Sequence, residues 1–186
     1  MNIVKLLVSL AGLLVISLST TSHAATVGKP LPPLAISQPG EITIQGDDIG
    51  YQPWDSLKKV EKVHVVQYVP ATMSDSKMYS PFTDYLQANY DHTRFHVTTV
   101  IDLDAALWGT SGLVSSEVEK NKRKYPLSTL VLDETGSGID TWSLGKDGSG
   151  LFIVDETGIV KFAIRHKMSA TEQQAAVDVF STLMDQ

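Results

Sequence analysis

The sequence predicts an α/β fold of three layers, in which helices flank a central mixed sheet and a β extension precedes the core. Two observations indicate this arrangement. A buried strand at Val63–Val69 is followed by an amphipathic helix and then by a second strand at Phe95–Leu103, the pattern of two parallel strands joined by a crossover helix. Near the carboxyl end, a tight turn separates Leu151–Asp155 from Ile159–Ile164, so these strands are expected to form an antiparallel hairpin.

The amino-terminal residues have the pattern of a secretory signal peptide. Lys5 stands near the start of an apolar run that ends at Leu18, and Ser22–Ala24 offers small residues where a signal peptidase reads. We expect cleavage after Ala24, which leaves residues 25–186 as a single domain. A membrane anchor is the alternative, but the apolar run is short for a bilayer span, and no later stretch is long enough to cross a membrane.

The charge balance argues against a nucleic-acid partner. Lys and Arg total 15 against 21 Asp and Glu, and removal of Lys5 with the signal leaves 14 against 21, a net charge of −7. Such a surface repels phosphate backbones. The one basic run, Lys120–Lys124, is predicted to be the solvated face of a helix.

Cysteine is absent from the chain. Its absence excludes thiol chemistry, thiolate metal sites and iron–sulfur clusters. Disulfides form readily in exported proteins, so a cysteine-free domain must be held together by its core alone.

The segment before the core reads as an extended lead-in and an edge hairpin. Val27–Gln38 is rich in proline, and Pro39-Gly40 is predicted to be a turn. Glu41–Gln45 alternates apolar and polar residues, as a half-buried strand does, and is expected to pair with Tyr51–Trp54. We expect Trp54 to act as a lid on the core, because a buried tryptophan contributes a large apolar area.

The central strand leads into the first candidate for a functional loop. Pro70 ends the strand because proline donates no hydrogen bond to a sheet. Ser80 is predicted to cap the following helix, with Pro81 in its first turn. Thr72–Lys77 (TMSDSK) therefore lies at the carboxyl end of a sheet strand, where open α/β sheets bind ligands.

Two later helices carry predicted start signals. Ser116 and Glu119 have the spacing of a capping box for a helix that Pro126 ends, after a loop at Gly109–Gly112. Ser169 and Glu172 have the same spacing before the closing helix. The apolar stripe of that helix should pack on the sheet, and it consists of Ala176, Val179, Phe180, Leu183 and Met184.

Two strands near the carboxyl end are each followed by the same four-residue turn, Asp-Glu-Thr-Gly. The first strand is Leu127–Asp133 and the second is Leu151–Asp155. The glycine-rich stretches Gly136–Gly138 and Gly145–Gly150 are predicted to be turns, because they lack the strand-then-helix setting of a phosphate-binding loop.

A set of residues spread over the chain carries a family resemblance. It comprises Gly40-Glu41, Tyr51 with Trp54, Lys62-Val63, Gln67, Ser115-Ser116, Tyr125-Pro126, Asp140 with Trp142, and Asp155 with Gly158. From Val27 to its end, the chain resembles the YtfJ family of small proteobacterial periplasmic proteins, whose function is not established. The order of elements is that of the thioredoxin fold, and Tyr125–Val160 is similar to periplasmic thiol-disulfide and peroxiredoxin-like proteins. The resemblance implies a thioredoxin-like fold and a periplasmic location.

The residues that thioredoxin-like enzymes need are replaced in this chain. The Cys-x-x-Cys window reads TMSDSK at Thr72–Lys77, and a hydroxyl cannot take the place of a thiolate in disulfide exchange. Thioredoxin-like enzymes also hold a cis-proline just before the hairpin strand, six residues ahead of the aspartate that closes it. Counted back from Asp155, that position in this chain is Ser149. Thiol-disulfide exchange is therefore excluded, and no cofactor is expected.

Other catalytic or metal-binding patterns are weak. Ser74–Lys77 matches S-x-x-K but lacks the companion motifs of serine acyl enzymes, so we interpret it as a chance match. His92 and His96 straddle the entry to a strand and are expected to face solvent, too far apart for one metal ion. His64 is expected to be a hydrogen-bonded core or edge histidine. We predict no metal site.

We hypothesise that the chain binds a periplasmic peptide, protein or small ligand at its degenerate active-site surface. The alternative is an enzyme with cysteine-independent chemistry in the same cleft, drawing on Ser74, His64, Asp102 or Asp104. The sequence identifies neither a catalytic residue, nor the ligand, nor the oligomeric state. The predicted binding residues are Thr72, Ser74, Asp75, Ser76, Ser149 and Asp102.

Overall fold

The computed structural model describes residues 24–58, 61–72, 74–106 and 111–186. Strands and helices alternate through most of this part of the chain. The strands are β1 Ala35–Gln45, β2 Asp48–Asp55, β3 Val63–Pro70, β4 Phe95–Asp102, β5 Thr129–Asp133, β6 Gly150–Val154 and β7 Val160–Ile164. The helices are α1 Ser80–Asn89, α2 Ser111–Lys124, α3 Ser137–Trp142 and α4 Ala170–Met184. The predicted signal peptide, apart from Ala24, lies outside the described residues.

The strands form one mixed sheet in the order β2-β1-β5-β4-β3-β6-β7. Strands β3, β4 and β5 run parallel, and every other neighbouring pair is antiparallel. The predicted β3–α1–β4 unit and the β1–β2 and β6–β7 hairpins are confirmed. The near-continuous apolar sequence of β3 follows from its place inside the sheet, where both of its faces are covered.

Each face of the sheet is covered by its own apolar cluster. On one face, α1, α2 and α4 pack over the strands around Phe82 and Phe180. On the other face, Tyr68, Trp142 and Phe152 stack edge to face, and Trp54 is 6% exposed. The prediction that Trp54 is part of the core is confirmed, and the three-layer arrangement places α3 opposite the other helices.

The segment before β1 closes the outer edge of the sheet at β7. Gly28 N donates to Val160 O at 2.8 Å, and Val160 N donates to Lys29 O at 2.9 Å. Pro30 forms an isolated bridge with Ile159. The lead-in is thus hydrogen-bonded to the final hairpin at the start of β7.

The predicted turn at Pro39-Gly40 is wrong, because β1 continues through both residues. The pairing of β1 with β2 shifts register between Ile36 and Glu41. Gly40 has φ of +82°, and a Cβ on it would lie 2.3 Å from Gln52 O. The pair Pro39-Gly40 therefore forms a bulge, which only glycine can occupy at its second position.

The predicted cap of α1 is also wrong. The helix begins at Ser80, with Tyr79 as its N-cap and no side-chain capping bond, while Pro81 stands in the first turn as predicted. Tyr79 is 1% exposed. Burial of the tyrosine fixes where the chain enters the helix, so a serine cap is not needed.

The two predicted capping boxes have different outcomes. Ser116 lies inside α2, which begins at Ser111, so its predicted capping box is wrong, although the helix ends before Pro126 as predicted. Part of the predicted Gly109–Gly112 loop lies outside the described residues, and Gly112 belongs to α2. The capping box of α4 is confirmed, because the side chains of Ser169 and Glu172 each accept a hydrogen bond from the other's backbone N–H.

The stretch Gly136–Gly138, predicted to be a turn, starts a short helix instead. Gly136 is the N-cap of α3 and Gly138 lies within the helix. A Cβ on Gly138 would lie 2.2 Å from Cε2 of Tyr68. The glycine therefore allows α3 to pack directly on the ring of Tyr68, a packing that local sequence does not reveal.

No helix in the described part of the chain has the length and apolar character needed to span a membrane.

Candidate functional site

The Thr72 loop, residues 72–79, follows β3 and is held by its own side chains. Thr72 Oγ1 donates to Asp75 Oδ2 at 2.7 Å and accepts from Asp75 N at 3.1 Å. Ser76 N donates to Thr72 O at 3.1 Å. These bonds close a turn of the loop, in which the Thr72 hydroxyl accepts the backbone N–H of Asp75 as an N-cap side chain does. Thr72 and Asp75 therefore shape the loop, whereas Ser74 and Ser76 are exposed.

The loop stands at the edge of the sheet where the three parallel strands end. Pro70 is in register with Asp102, which is in register with Asp133. Ala71 N donates to Asp102 O at 2.9 Å, and Leu103 N donates to Asp133 O at 2.8 Å. The predicted site residue Asp102 is thus connected to the start of the Thr72 loop through the backbone.

The side chain of Asp102 lies below the surface. The residue is 2% exposed, and its Oδ1 accepts a hydrogen bond from Asp104 N at 3.0 Å. Burial raises the pKa of Asp102, and the nearby carboxylate of Asp133 adds to the rise. Asp104, the other predicted carboxylate, is exposed. The two carboxylates do not line one open cleft.

Asp133, which is not among the predicted site residues, accepts several hydrogen bonds at the carboxyl end of β5. Its Oδ2 accepts from the Tyr68 hydroxyl at 2.9 Å and from Gly138 N at 3.0 Å. Ser137 Oγ also donates to it, at 3.1 Å. Burial raises the pKa of Asp133, but these hydrogen bonds outweigh burial and hold the pKa below its ordinary value.

One signal in the sequence could have revealed the role of Asp133. The turn Asp-Glu-Thr-Gly recurs after β6, where Asp155 Oδ1 accepts from Thr157 Oγ1 at 2.6 Å and from Ile159 N at 3.0 Å. In both copies the aspartate therefore holds the turn that follows it. The shared turn indicates a hydrogen-bonded aspartate but not its distant partner Tyr68.

Ser149 is fully buried beside the end of β3. The next residue, Gly150, is in register with Tyr68. Ser149 is 0% exposed, and its Oγ has no hydrogen-bond partner among the described residues. It lies near the Tyr79 hydroxyl and slightly lowers its pKa without the geometry of a hydrogen bond. The predicted site residue thus lies beneath the surface that the Thr72 loop presents.

Tyr79 connects the Thr72 loop to the segment between β7 and α4. Its hydroxyl donates to His166 O at 3.1 Å. Burial, the largest cause, raises the pKa of Tyr79 to about 12. The hydroxyl therefore stays protonated and keeps the base of the loop in place at all physiological pH values.

His64, His92 and His96 lie away from the Thr72 loop, near the amino ends of β3 and β4. His64, near the amino end of β3, contacts Thr98 Oγ1 through Nε2 at 2.8 Å, as expected of a hydrogen-bonded histidine. Its ring lies 5.2 Å from that of His96, and burial followed by the charge of His96 lowers the pKa of His64 to about 3. His92 is exposed as expected, but His96 is half-buried, so the predicted solvent-facing pair is wrong for His96.

Two grooves in the described surface lie elsewhere. One of about 530 Å³ runs between β1 and α2, and one of about 440 Å³ lies near the carboxyl terminus beside Arg94 and Asp155. Within residues 24–58, 61–72, 74–106 and 111–186, no group of three or more His, Asp or Glu side chains could hold a metal ion. The Thr72 loop is therefore an exposed turn rather than a wall of either groove.

Comparison with known proteins identifies relatives over nearly the whole chain. The family model described as "Bacterial protein of unknown function (YtfJ_HI0045)" matches residues 25–183. The uncharacterized protein YtfJ of Escherichia coli K12 is 27% identical over 172 residues, which cover 92% of this chain and 94% of that protein. An uncharacterized protein of Haemophilus influenzae is 29% identical over 170 residues, which cover 91% of this chain and 92% of that protein.

Solved structures share the fold at low sequence identity. The thioredoxin domain of a thiol-disulfide oxidoreductase from Bacteroides vulgatus has a TM-score of 0.53 at 14% identity, covering 83% of this chain and 97% of that chain. A 2-Cys peroxiredoxin from Plasmodium vivax has a TM-score of 0.52 at 14% identity, covering 86% and 99%. The predicted thioredoxin-like fold is confirmed, and this chain has it without cysteine.

Proposed function

The chain belongs to the YtfJ_HI0045 family of bacterial proteins of unknown function, and from that membership we propose that it is a periplasmic, non-redox binding protein. Its ligand is a peptide, a protein segment or a small molecule held at the degenerate active-site edge. The observation that carries the proposal is the Thr72 loop. It is folded by its own capping bonds and turns Ser74 and Ser76 to solvent at the carboxyl end of β3.

A pre-folded loop supports binding because it loses little conformational entropy when a ligand arrives. Ser74 and Ser76 offer hydroxyl donors and acceptors, and Lys77 adds a positive charge beside them. These groups match the backbone amides and carboxylates of an extended peptide, which can add along a strand without any thiol. Ser149, below the loop, supplies a buried hydroxyl that a small shift of Tyr79 would bring into hydrogen bonding.

The geometry gives less support to an enzyme with cysteine-independent chemistry. Such an enzyme would need Ser74, His64 and Asp102 within reach of one substrate. His64 stands near the amino end of β3, roughly 25 Å along the strand from Thr72. Asp102 is buried and Ser74 is exposed. A nucleophile and its base must lie within hydrogen-bonding distance, and His64 is too far from Ser74 for that.

The periplasmic address is part of the proposal. Ala25, the first residue after the predicted cleavage point, is 0% exposed, and its carbonyl accepts a hydrogen bond from the Arg165 guanidinium. The family match also begins at residue 25. The burial of Ala25 and the start of the family match at this residue support cleavage after Ala24. Amino-terminal sequencing of the protein from a periplasmic fraction should begin at Ala25, and recovery of the uncleaved chain in membranes would reject this address.

The binding proposal is tested by capture from periplasmic extract followed by mass spectrometry. The protein is compared with the double variant Ser74→Ala/Ser76→Ala, which keeps both hydrogen bonds between Thr72 and Asp75 and removes, among the described residues of the loop, only the 3.2 Å contact of Ser74 Oγ with Thr72 Oγ1. Ser37→Ala, an exposed serine of β1, is the matched control. We expect a partner that the control retains and the loop variant loses. The purified partner should then shift the backbone amide signals of the Thr72 loop in NMR spectra. Equal capture by all three proteins would refute the proposed site.

A further inference from the structure

The groove between β1 and α2 has a free strand edge along one side. Strand β1 pairs with β5 only at Pro39–Glu41, whereas its pairing with β2 continues to Gln45. The groove of about 530 Å³ is lined by residues 41–44 of β1, which begin at the last β1–β5 pair, and by Lys122, Arg123 and Pro126. From Ile42 onward, the edge of β1 that faces away from β2 has no strand partner within the described residues. A free edge of this kind is a template for an added strand.

The other wall of the groove carries a half-buried ammonium group. Lys122 Nζ donates to Ser128 O at 2.6 Å and to Pro126 O at 3.2 Å, which uses two of its three N–H groups. The ion pairs of the described residues do not include Lys122. Burial lowers its pKa, and the carboxylate of Glu41 acts in the opposite direction. Lys122 therefore keeps a donor and a positive charge for a further partner.

The basic run Lys120–Lys124 is thus more than the solvated face that the sequence predicts. Lys122 is half-buried and lines the groove. Arg123 donates to Gly46 O and Asp47 O, so its guanidinium lies at the turn that ends β1. The chain as a whole has a net charge of −6. Glu41 stands on the β1 wall of the same groove, so the positive charge is confined to the α2 wall, and it directs a carboxylate to that wall.

We propose that this groove is a second binding site, which takes an extended peptide that adds as a strand to β1 and places a carboxylate on Lys122. The volume lies within the range of about 300–1,000 Å³ typical of ligand sites. Ile44, which is partly exposed, supplies apolar lining for a side chain of the peptide, whereas Ile42 is fully buried in the core beneath it. The site lies at the amino end of β5, whereas the Thr72 loop lies at the carboxyl end of the parallel strands, so the two are at opposite ends of the strands. It is therefore independent of the binding function proposed above.

The proposal is tested by NMR titration of the ¹⁵N-labelled protein with two probe peptides. Both are N-acetylated tetrapeptides of alternating valine and threonine, one with a free terminal carboxylate and one with a terminal amide. We expect the free acid to shift the amide signals of Thr43–Gln45 and to bind at least about tenfold more tightly than the amide, a difference of about 1.4 kcal/mol. Because this comparison needs no variant, it is decisive even if a substitution in α2 unfolds the protein.

Substitution of the lysine provides the second arm of the test. Lys122→Gln should weaken binding of the free acid to the level of the amide, while Lys124→Gln, an exposed position of the same helix, should leave it unchanged. Circular dichroism verifies that both variants are folded. Equal binding of acid and amide, signal shifts confined to the Thr72 loop, or no shift at millimolar peptide would each overturn the proposal.

Discussion

The hydroxyl of Tyr68 donates a 2.9 Å hydrogen bond to Asp133 Oδ2, although the two residues are 65 positions apart and lie on strands that are not neighbours. Tyr68 belongs to β3 and Asp133 to β5, with β4 between them. Both residues are at most 1% exposed. The bond crosses one face of the sheet and ties the central strand to the turn that starts α3.

Removing this hydroxyl should destabilise the fold. Tyr68→Phe keeps the packed ring but leaves Asp133 with one fewer donor, and we expect a loss of about 1–3 kcal/mol in the free energy of unfolding. Urea denaturation followed by circular dichroism measures it. Tyr85→Phe, on the exposed side of α1, is the control and should change stability by less than about 0.5 kcal/mol. Similar losses in both variants would argue that the bond contributes nothing specific.

The pH dependence of the free energy of unfolding should reveal the raised pKa of Asp102. Its folded pKa is raised above the ordinary 3.8, so folding favours the protonated carboxyl. The stability from this preference is fully present below that value and is lost as the pH rises through the folded pKa. At pH 7, neutral Asp102→Asn should therefore be more stable than the wild type by roughly 1 kcal/mol.

The gain from Asp102→Asn should shrink as the pH falls through the raised folded pKa of Asp102 and be absent below 3.8, where the carboxyl is neutral in both the folded and the unfolded chain. Denaturant titrations at a series of pH values measure the difference. Asp84→Asn, at an exposed carboxylate of α1, is the control, because it removes a charge without touching Asp102. A pH-independent difference for Asp102→Asn would contradict the assignment.

Asp133 should behave in the opposite sense. Its folded pKa lies below the ordinary 3.8, so its contribution to stability is present above that value and is lost as the pH falls through the folded pKa. Asp133→Asn at pH 7 should cost about 3 kcal/mol, because several buried donors lose a charged acceptor. The cost should decline in acid. Stabilisation at pH 7 would show that burial outweighs the hydrogen bonds.

The close packing of α3 on Tyr68 predicts a severe effect at Gly138. A Cβ there would lie 2.2 Å from the ring, so Gly138→Ala must displace Tyr68 or the helix and should cost about 3 kcal/mol. Gly145→Ala is the comparison: no atom lies within 4 Å of its Cβ, and only the left-handed φ of +72° opposes it, at about 1–2 kcal/mol. Thermal unfolding measures both, and a smaller loss at Gly138 would contradict the packing.

Ser149 offers a test that separates stability from function. Its buried hydroxyl has no partner among the described residues, so Ser149→Ala should raise the free energy of unfolding by roughly 0.5–1 kcal/mol. Ser137→Ala, which removes a hydroxyl bonded to Asp133, should lower it by about 1 kcal/mol. If the Ser149 hydroxyl serves a ligand of the Thr72 loop, the stabilised variant should also bind that ligand less tightly. Destabilisation by Ser149→Ala would show that the hydroxyl has a structural partner.

Local patterns in the sequence predict much of this fold. The β3–α1–β4 unit, the β6–β7 hairpin and the capping box at Ser169 each depend on residues close together in the chain, and all are present. Local sequence patterns predict the wrong conformation where pairing with strands that are distant in the chain determines it. Pro39-Gly40 has the composition of a turn, but strands on both sides of β1 hold it as a bulge.

In the candidate site, too, only the features that depend on local sequence can be predicted. The position of the Thr72 loop after β3 is predictable, because a strand, a proline and a helix start define it. The burial of Ser149 and Asp102 is not, because it depends on Tyr79, α3 and the turn after β5 covering them. The groove beside Lys122 is equally hidden in the sequence, since it forms only where the end of α2 comes to lie beside β1.

The bridge between the lead-in and β7 bears on how the chain avoids aggregation. An exposed sheet edge invites other chains to pair with it, and here residues 28–30 occupy part of the outer edge of the last strand. These residues are synthesised long before β7, so a cover is already available when the final hairpin forms. Trimming by a protease before Leu31 would uncover that edge and leave the rest of the domain free to polymerise through it.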